Sequence, residues 1–226
     1  MEFIIYFIII SLVPIWASMR VKSTYNKFLR QPNSTGMTGA QVARRILDSN
    51  GLYDVQIEEY SGFLSDHYDP RTKTVRLSSA NYHGTSIASA AVSAHEVGHA
   101  LQDQEEYGFL RLRASLVPVA NFGSNASFFL LLIGIMFNMF EMAILGVIFM
   151  AFAVLFQLVT LPVEFNASSR AMDQVVSLGI IRNEEEHGAR KVLNAAALTY
   201  VAAAAVALIE LLRFVLIIVG MNNSDD

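Results

Sequence analysis

The chain has 226 residues, of which 54% are hydrophobic and 16% charged, against roughly a quarter charged in an ordinary soluble domain. The apolar excess is gathered in long uncharged runs, which excludes a simple soluble globule and a disordered chain. A net charge of −4 without a basic stripe excludes a nucleic-acid binder, and the lack of cysteine excludes a disulfide framework, a thiolate metal site and a cysteine nucleophile.

A bilayer core about 30 Å thick needs about 20 apolar residues in a helix. Phe3–Met19 is uncharged throughout and reads as the first span, so residues 1–19 form an anchor. A cleaved signal peptide is the alternative. No basic region precedes this stretch, however, and Ala17-Ser18-Met19 makes a poor cleavage site.

Residues 20–113 are the part able to hold a water-soluble fold. Gln31–Gly36 is a loop by its turn chemistry. A helix is predicted over Thr38–Asn50, with Thr38 and Gln41 placed as a capping box, Gly51 at the C-terminus, and Val42, Ile46 and Leu47 as its apolar stripe. Strand-like runs follow at Val55–Glu58 and Thr74–Leu77, with Asp69-Pro70 marking a turn before the second. A second helix is predicted from Thr85 or Ser86 to Gln104. Its first half, Ile87–Ala94, is rich in small residues that let neighbouring helices approach closely.

Ala114–Phe137 and Met142–Val163 read as two further spans. Almost nothing joins them, so residues 114–163 should form a tight helical hairpin. Residues 164–192 are a second polar segment. Residues 193–220 are the fourth span, broken only by Glu210 and Arg213, and 221–226 are a short tail. Glu210 and Arg213 are spaced to neutralise each other inside the bundle. The fold class is therefore a mainly α integral membrane protein, with four transmembrane helices and a small α+β domain.

Of the 16 Lys and Arg, 15 lie in Arg20–Arg113 or Glu164–Lys191. The N-terminus, the 138–141 turn and the C-terminal tail carry none. Positive charge stays on the cytoplasmic side. Residues 20–113 and 164–192 are therefore expected inside the cell, and the N-terminus, the turn and the tail outside.

The second helix contains His95-Glu96-Val97-Gly98-His99, an H-E-x-x-H pattern. Residues four apart share a helix face, so the two imidazoles can converge on one zinc ion. Glu96, one step round, can reach a water at that ion and act as general base. Gly98 leaves the helix surface bare between the histidines, which suits close approach of another backbone. A catalytic zinc needs a third protein ligand. Glu164, directly after the third span, is a candidate, and an ordinary interfacial carboxylate is its alternative reading. Two surface histidines on an amphipathic helix are the alternative for the motif itself.

Several stretches resemble the bacterial membrane zinc metallopeptidases of the YugP type. They are Leu64–Pro70, Val75–Ser78, His95–Gln102, Leu161–Phe165 with Ala167-Ser168 and Arg170-Ala171, and Val192–Val201. The site logic is also similar to that of the membrane peptidases related to HtpX and the CAAX prenyl protease. The resemblance implies a gluzincin-like, membrane-embedded peptidase whose cytoplasmic domain is zincin-like. It assigns His95, His99 and Glu164 to one Zn2+ and Glu96 to catalysis. One departure stands out: an acid is expected two residues after the third ligand, and here it is Asn166. Asn166 can still accept from an imidazole, and Ser168 can share in orienting one.

Other polar residues have plainer readings. His67 reads as a turn-capping residue, with an oxyanion or substrate role as the alternative. His83 reads as a loop residue, and His187 sits in a solvated charge run. Asn194, Thr199 and Tyr200 read as interhelical packing groups, Tyr200 having a role at the site as its alternative. Arg170 is left open between an acidic neighbour and a substrate carboxylate. The strand before the zinc helix is a candidate edge for an extended substrate.

The expected function is a zinc-dependent endopeptidase at the cytoplasmic membrane face of a bacterium, in membrane-protein quality control or processing. Its expected partners are a peptide or membrane-protein substrate, the lipid bilayer, and a membrane scaffold or further copies of the chain, with no nucleic acid. A non-hydrolytic zinc scaffold or sensor is the first alternative, and a transporter component using Glu210 and Arg213 the second.

Overall fold

The computed structural model describes residues 2–222, so Met1 and residues 223–226 of the expected tail lie outside the described residues. The chain forms two compact units.

The first unit gathers the described residues up to Pro14, then Gly108–Pro162, then those from Tyr200 on. Its segments belong to α1 (Glu2–Leu29), α5 (Gly108–Met136), α6 (Phe140–Ser177) and α7 (Glu184–Asn222). All four helices are long and apolar enough to cross a membrane. The hairpin between α5 and α6 is as tight as expected. Asn138 takes a left-handed φ of 52°, a conformation asparagine tolerates. The Met139 amide donates back to the Gly134 carbonyl at 2.8 Å. Gly134 is required there, because a Cβ would meet the Ala143 amide nitrogen at 2.6 Å. The expected neutralising pair is absent. Arg213 lies over the Tyr6 ring, 4.1 Å from its centroid, and no Glu210–Arg213 ion pair exists among the described residues.

The second unit comprises Ile15–Tyr107 and Val163–Thr199. It is therefore not confined to the predicted 20–113 region. α2 (Gly39–Ser49) has its capping box: Thr38 Oγ1 accepts from the Gln41 amide, and the Gln41 side chain accepts from the Thr38 amide at 2.9 Å. Val42, Ala43, Ile46 and Leu47 bury its apolar stripe. α4 (Ile87–Gln104) starts on Ser86, whose hydroxyl accepts from the Ser89 amide at 3.0 Å. The small residues of α4 are almost all buried, and α2 packs against this helix.

The sheet differs from expectation in two ways. β1 (Gln56–Tyr60) and β3 (Thr74–Ser78) pair in parallel, and a third strand, β2 (His67–Asp69), pairs antiparallel with β3. The order is β1-β3-β2. β3, the last strand before α4, is therefore central, and both its edges are occupied. It cannot take a substrate by strand addition, since no row of its backbone groups is left unpaired. A short helix, α3 (Ser79–Tyr82), follows β3.

The helices also run further than hydropathy alone draws them. α1 continues to Leu29, bringing Tyr25 and Phe28 into the core with Val97, Leu101, Val175 and Ile181. α6 does not end at Val163 but continues to Ser177, so Glu164 is a helix-interior residue. No helix-stopping signal stands between Glu164 and Gly179, where φ turns positive at 62°.

Candidate metal centre

His95 and His99 occupy successive turns of α4, and Glu164 stands on α6. Their potential ligand atoms all lie within 4.8 Å of one another. His95 Nε2 is 3.3 Å and His99 Nε2 is 3.7 Å from the same Glu164 oxygen. The imidazoles meet edge to face, with centroids 4.8 Å apart. Side-chain exposure is 15% for His95, 12% for His99 and 3% for Glu164. A desolvated carboxylate between two imidazoles is costly without a cation or protons to balance it.

The far side of each ring is satisfied. His95 Nδ1 lies 3.1 Å from Ser168 Oγ, and His99 Nδ1 lies 3.0 Å from Gln102 Oε1. With Nδ1–H donating to these oxygens, both Nε2 atoms present lone pairs toward Glu164, the tautomer a metal requires. The donor set of two imidazoles and one carboxylate also matches a catalytic zinc site, which keeps one position open. The residues present therefore fit the ion.

The Ser168 role agrees with its sequence reading; the Asn166 role does not. Asn166 faces no imidazole. Its carbonyl accepts from the Gln102 amide at 2.9 Å and from Arg170 Nε at 2.8 Å. Gln102, fully buried, also donates to the Val163 carbonyl at 2.8 Å. Arg170 makes two 2.7 Å hydrogen bonds to Glu105, so its partner is an acid of the chain. Sequence reading assigned Gln102 no role. The available signal was its spacing, three residues after His99 and so on the same face of α4.

Close helix contact makes this possible. A Cβ at Gly98 would meet the Ala167 carbonyl of α6 at 2.5 Å. The bare surface between the histidines is where that backbone passes.

Glu96 is 7% exposed and makes no hydrogen bond among the described residues. Burial raises its carboxyl above the usual range, with the Asp66 and Glu164 charges adding and the two histidines opposing. For His99, burial opposes the charged form, but Glu164 and Glu96 outweigh it and the net shift is upward.

The remaining candidates lie elsewhere. His67 is the first residue of β2, a strand and not the expected turn; its ring is 2.8 Å from the Ser65 carbonyl and stands edge-on to Tyr60. His83 pairs with Glu59 on the surface at 3.1 Å. Asn194 is exposed, and Thr199 donates to its own helix at Ala196. His187 belongs to no metal-holding group among the described residues.

A family model described as "Putative neutral zinc metallopeptidase" matches residues 3–219. The chain is 55% identical over 211 residues to the "Putative membrane protease YugP" of Bacillus subtilis (strain 168), covering 93% of each chain. No solved structure matches.

Proposed function

Because the chain belongs to the family of neutral zinc metallopeptidases, we propose that it is a membrane-embedded endopeptidase holding one zinc ion on His95, His99 and Glu164. The observation that carries this reading is the convergence of three ligand atoms within 4.8 Å, beside a Glu96 carboxyl that makes no hydrogen bond among the described residues. That is the gluzincin division of labour.

Glu96 is the general base. It takes a proton from the attacking water as the oxygen–carbon bond forms at the scissile carbonyl. When the carbon–nitrogen bond breaks, Glu96 returns the proton to the leaving amine. Zinc, when bound, supplies Lewis-acid polarisation of the carbonyl and the water. Ser168 and Gln102 hold the two imidazoles in register. Burial of Glu96 excludes competing water and suits a group that both accepts and donates a proton.

The positive charge flanking the spans supports a site on the cytoplasmic side of the bacterial membrane. That placement favours membrane proteins or their cytoplasmic segments as substrates, in quality control or processing. A membrane scaffold or further copies of the chain are the proposed partners.

The test is metal analysis and proteolysis with purified full-length protein. Wild type and Glu96→Gln should carry about one zinc, and His95→Ala and Glu164→Ala should lose it. Glu96→Gln should abolish cleavage. Equal proteolysis by Glu96→Gln and wild type would refute the peptidase. A zinc-loaded wild type without any hydrolysis would favour a scaffold or sensor.

A further inference from the structure

Glu210 is the intramembrane acid that the proposed chemistry does not use. It lines a cavity of about 510 Å³ within the first unit, walled by α5, α6 and α7. The walls are mainly apolar, including Leu132, Val154 and Phe214. The polar groups are Glu210, Ser124 and Ser127. Both hydroxyl protons are already used: Ser124 donates to the Ala120 carbonyl at 2.7 Å and Ser127 to the Ser124 carbonyl at 3.0 Å. Glu210 has no hydrogen-bond or ion-pair partner among the described residues. The cavity therefore offers acceptor oxygens and one acidic side chain, with no basic side chain in its lining. Its complement is an apolar body carrying a cationic donor.

Depth narrows the choice. Glu210 stands ten residues before Gly220, the end of the apolar helix, which is about 15 Å of α-helix. That is mid-depth in a bilayer core about 30 Å thick, beyond the reach of lipid headgroups. A lysine within another membrane-spanning helix meets every requirement. Its flexible apolar stem crosses the walls, and its compact ammonium ends at the carboxylate.

We propose that this cavity receives the lysine side chain of a second protein's transmembrane helix, with Glu210 as its counter-ion. Resting on the peptidase reading above, this names the substrate class: membrane proteins with a lysine near the middle of a span. Intramembrane charges of opposite sign associate because the alternative is each alone in lipid.

The test uses zinc-free, full-length protein in nanodiscs, so that binding is read without cleavage. The probes are fluorescent Leu/Ala helices of about 25 residues with Lys, Leu or Glu at the centre. The Lys helix should bind wild type about tenfold more tightly than the other two. Glu210→Gln should erase that preference while keeping wild-type zinc uptake, which shows it is folded. Glu210→Lys should reverse it toward the Glu helix. Equal binding of the three helices, or a preference unchanged in Glu210→Gln, would overturn the proposal. So would saturable binding of dodecylamine with no binding of the Lys helix, because the occupant would then be an amphiphile. The two readings fail separately. Lysine preference without zinc-dependent cleavage sinks the peptidase alone, and cleavage without lysine preference sinks the cavity alone.

Discussion

At the scale of single residues, the centre depends on the groups behind the ligands as much as on the ligands. His99 is oriented by Gln102, Gln102 by Asn166 and the Val163 carbonyl, and Asn166 in turn by Arg170. Groups of this kind typically change metal affinity by about 10–100-fold when removed. Gln102→Leu should therefore weaken zinc binding by roughly that factor, measured by competition with a chromophoric chelator. Gln102→Glu keeps an acceptor for His99 but cannot donate to Val163 and Asn166, so it should recover part of the loss. If both variants bind zinc like wild type, Gln102 is packing alone. Asn166 shows why the sequence reading was incomplete here. The resemblance leads one to expect an acid at position 166; the oxygen that meets His99 belongs instead to Gln102, a neutral amide of α4. Such a substitution is invisible until α4 and α6 are side by side.

At the scale of elements, glycine and the sheet carry the argument. Gly98 sets how near α6 comes to α4, because any Cβ there would collide with the Ala167 carbonyl. Gly98→Ala must push α6 away, at about 1–3 kcal/mol for overpacking. Glu164 sits one turn from Ala167 and should move with it, so zinc occupancy should fall alongside thermal stability. Retention of full zinc content by Gly98→Ala would show that the contact does not set the site. The β2–β3 hairpin yields a pH prediction. Asp69 is held down to about 2, first by the Arg71 backbone amide and then by Arg76. Its ionised form thus favours the folded chain. The contribution is complete above the unfolded value of about 3.9 and disappears as pH falls through about 2. Melting of wild type and Asp69→Asn should therefore differ most near neutrality and converge as pH drops from about 4 toward 2; a constant gap would exclude this linkage. Capping and periodicity made α2 and α4 legible, because both signals are local. β2 was not, since three residues between two loops show no alternation. The parallel pairing of β1 with β3 was equally hidden. It depends on a crossover that no local pattern records.

At the scale of the whole molecule, charge is distributed more consistently than any single motif. Fifteen of the 16 basic residues lie in Arg20–Arg113 and Glu164–Lys191. The tight turn at Asn138 carries none. Crossing a bilayer with the opposite orientation would translocate both basic segments, which the positive-inside bias opposes. The helices do not decide orientation, because length and apolarity are the same in either direction. Two segments distant in sequence also form one compact unit, joined through an apolar core. α6 and α7 carry 163–199 back to the residues that follow α1, so ligands from both polar stretches must share one side of the membrane. The absence of native cysteine makes this directly testable, since each introduced thiol is unique. In intact cells, a cysteine replacing Tyr53, which is 73% exposed, should resist a membrane-impermeant maleimide until the cells are opened. A cysteine replacing Met139 in the α5–α6 turn, 43% exposed, should react at once. The reverse pattern would put the metal centre outside the cell. The cytoplasmic placement of the peptidase would then be wrong, while the His95–His99–Glu164 geometry would stand unchanged.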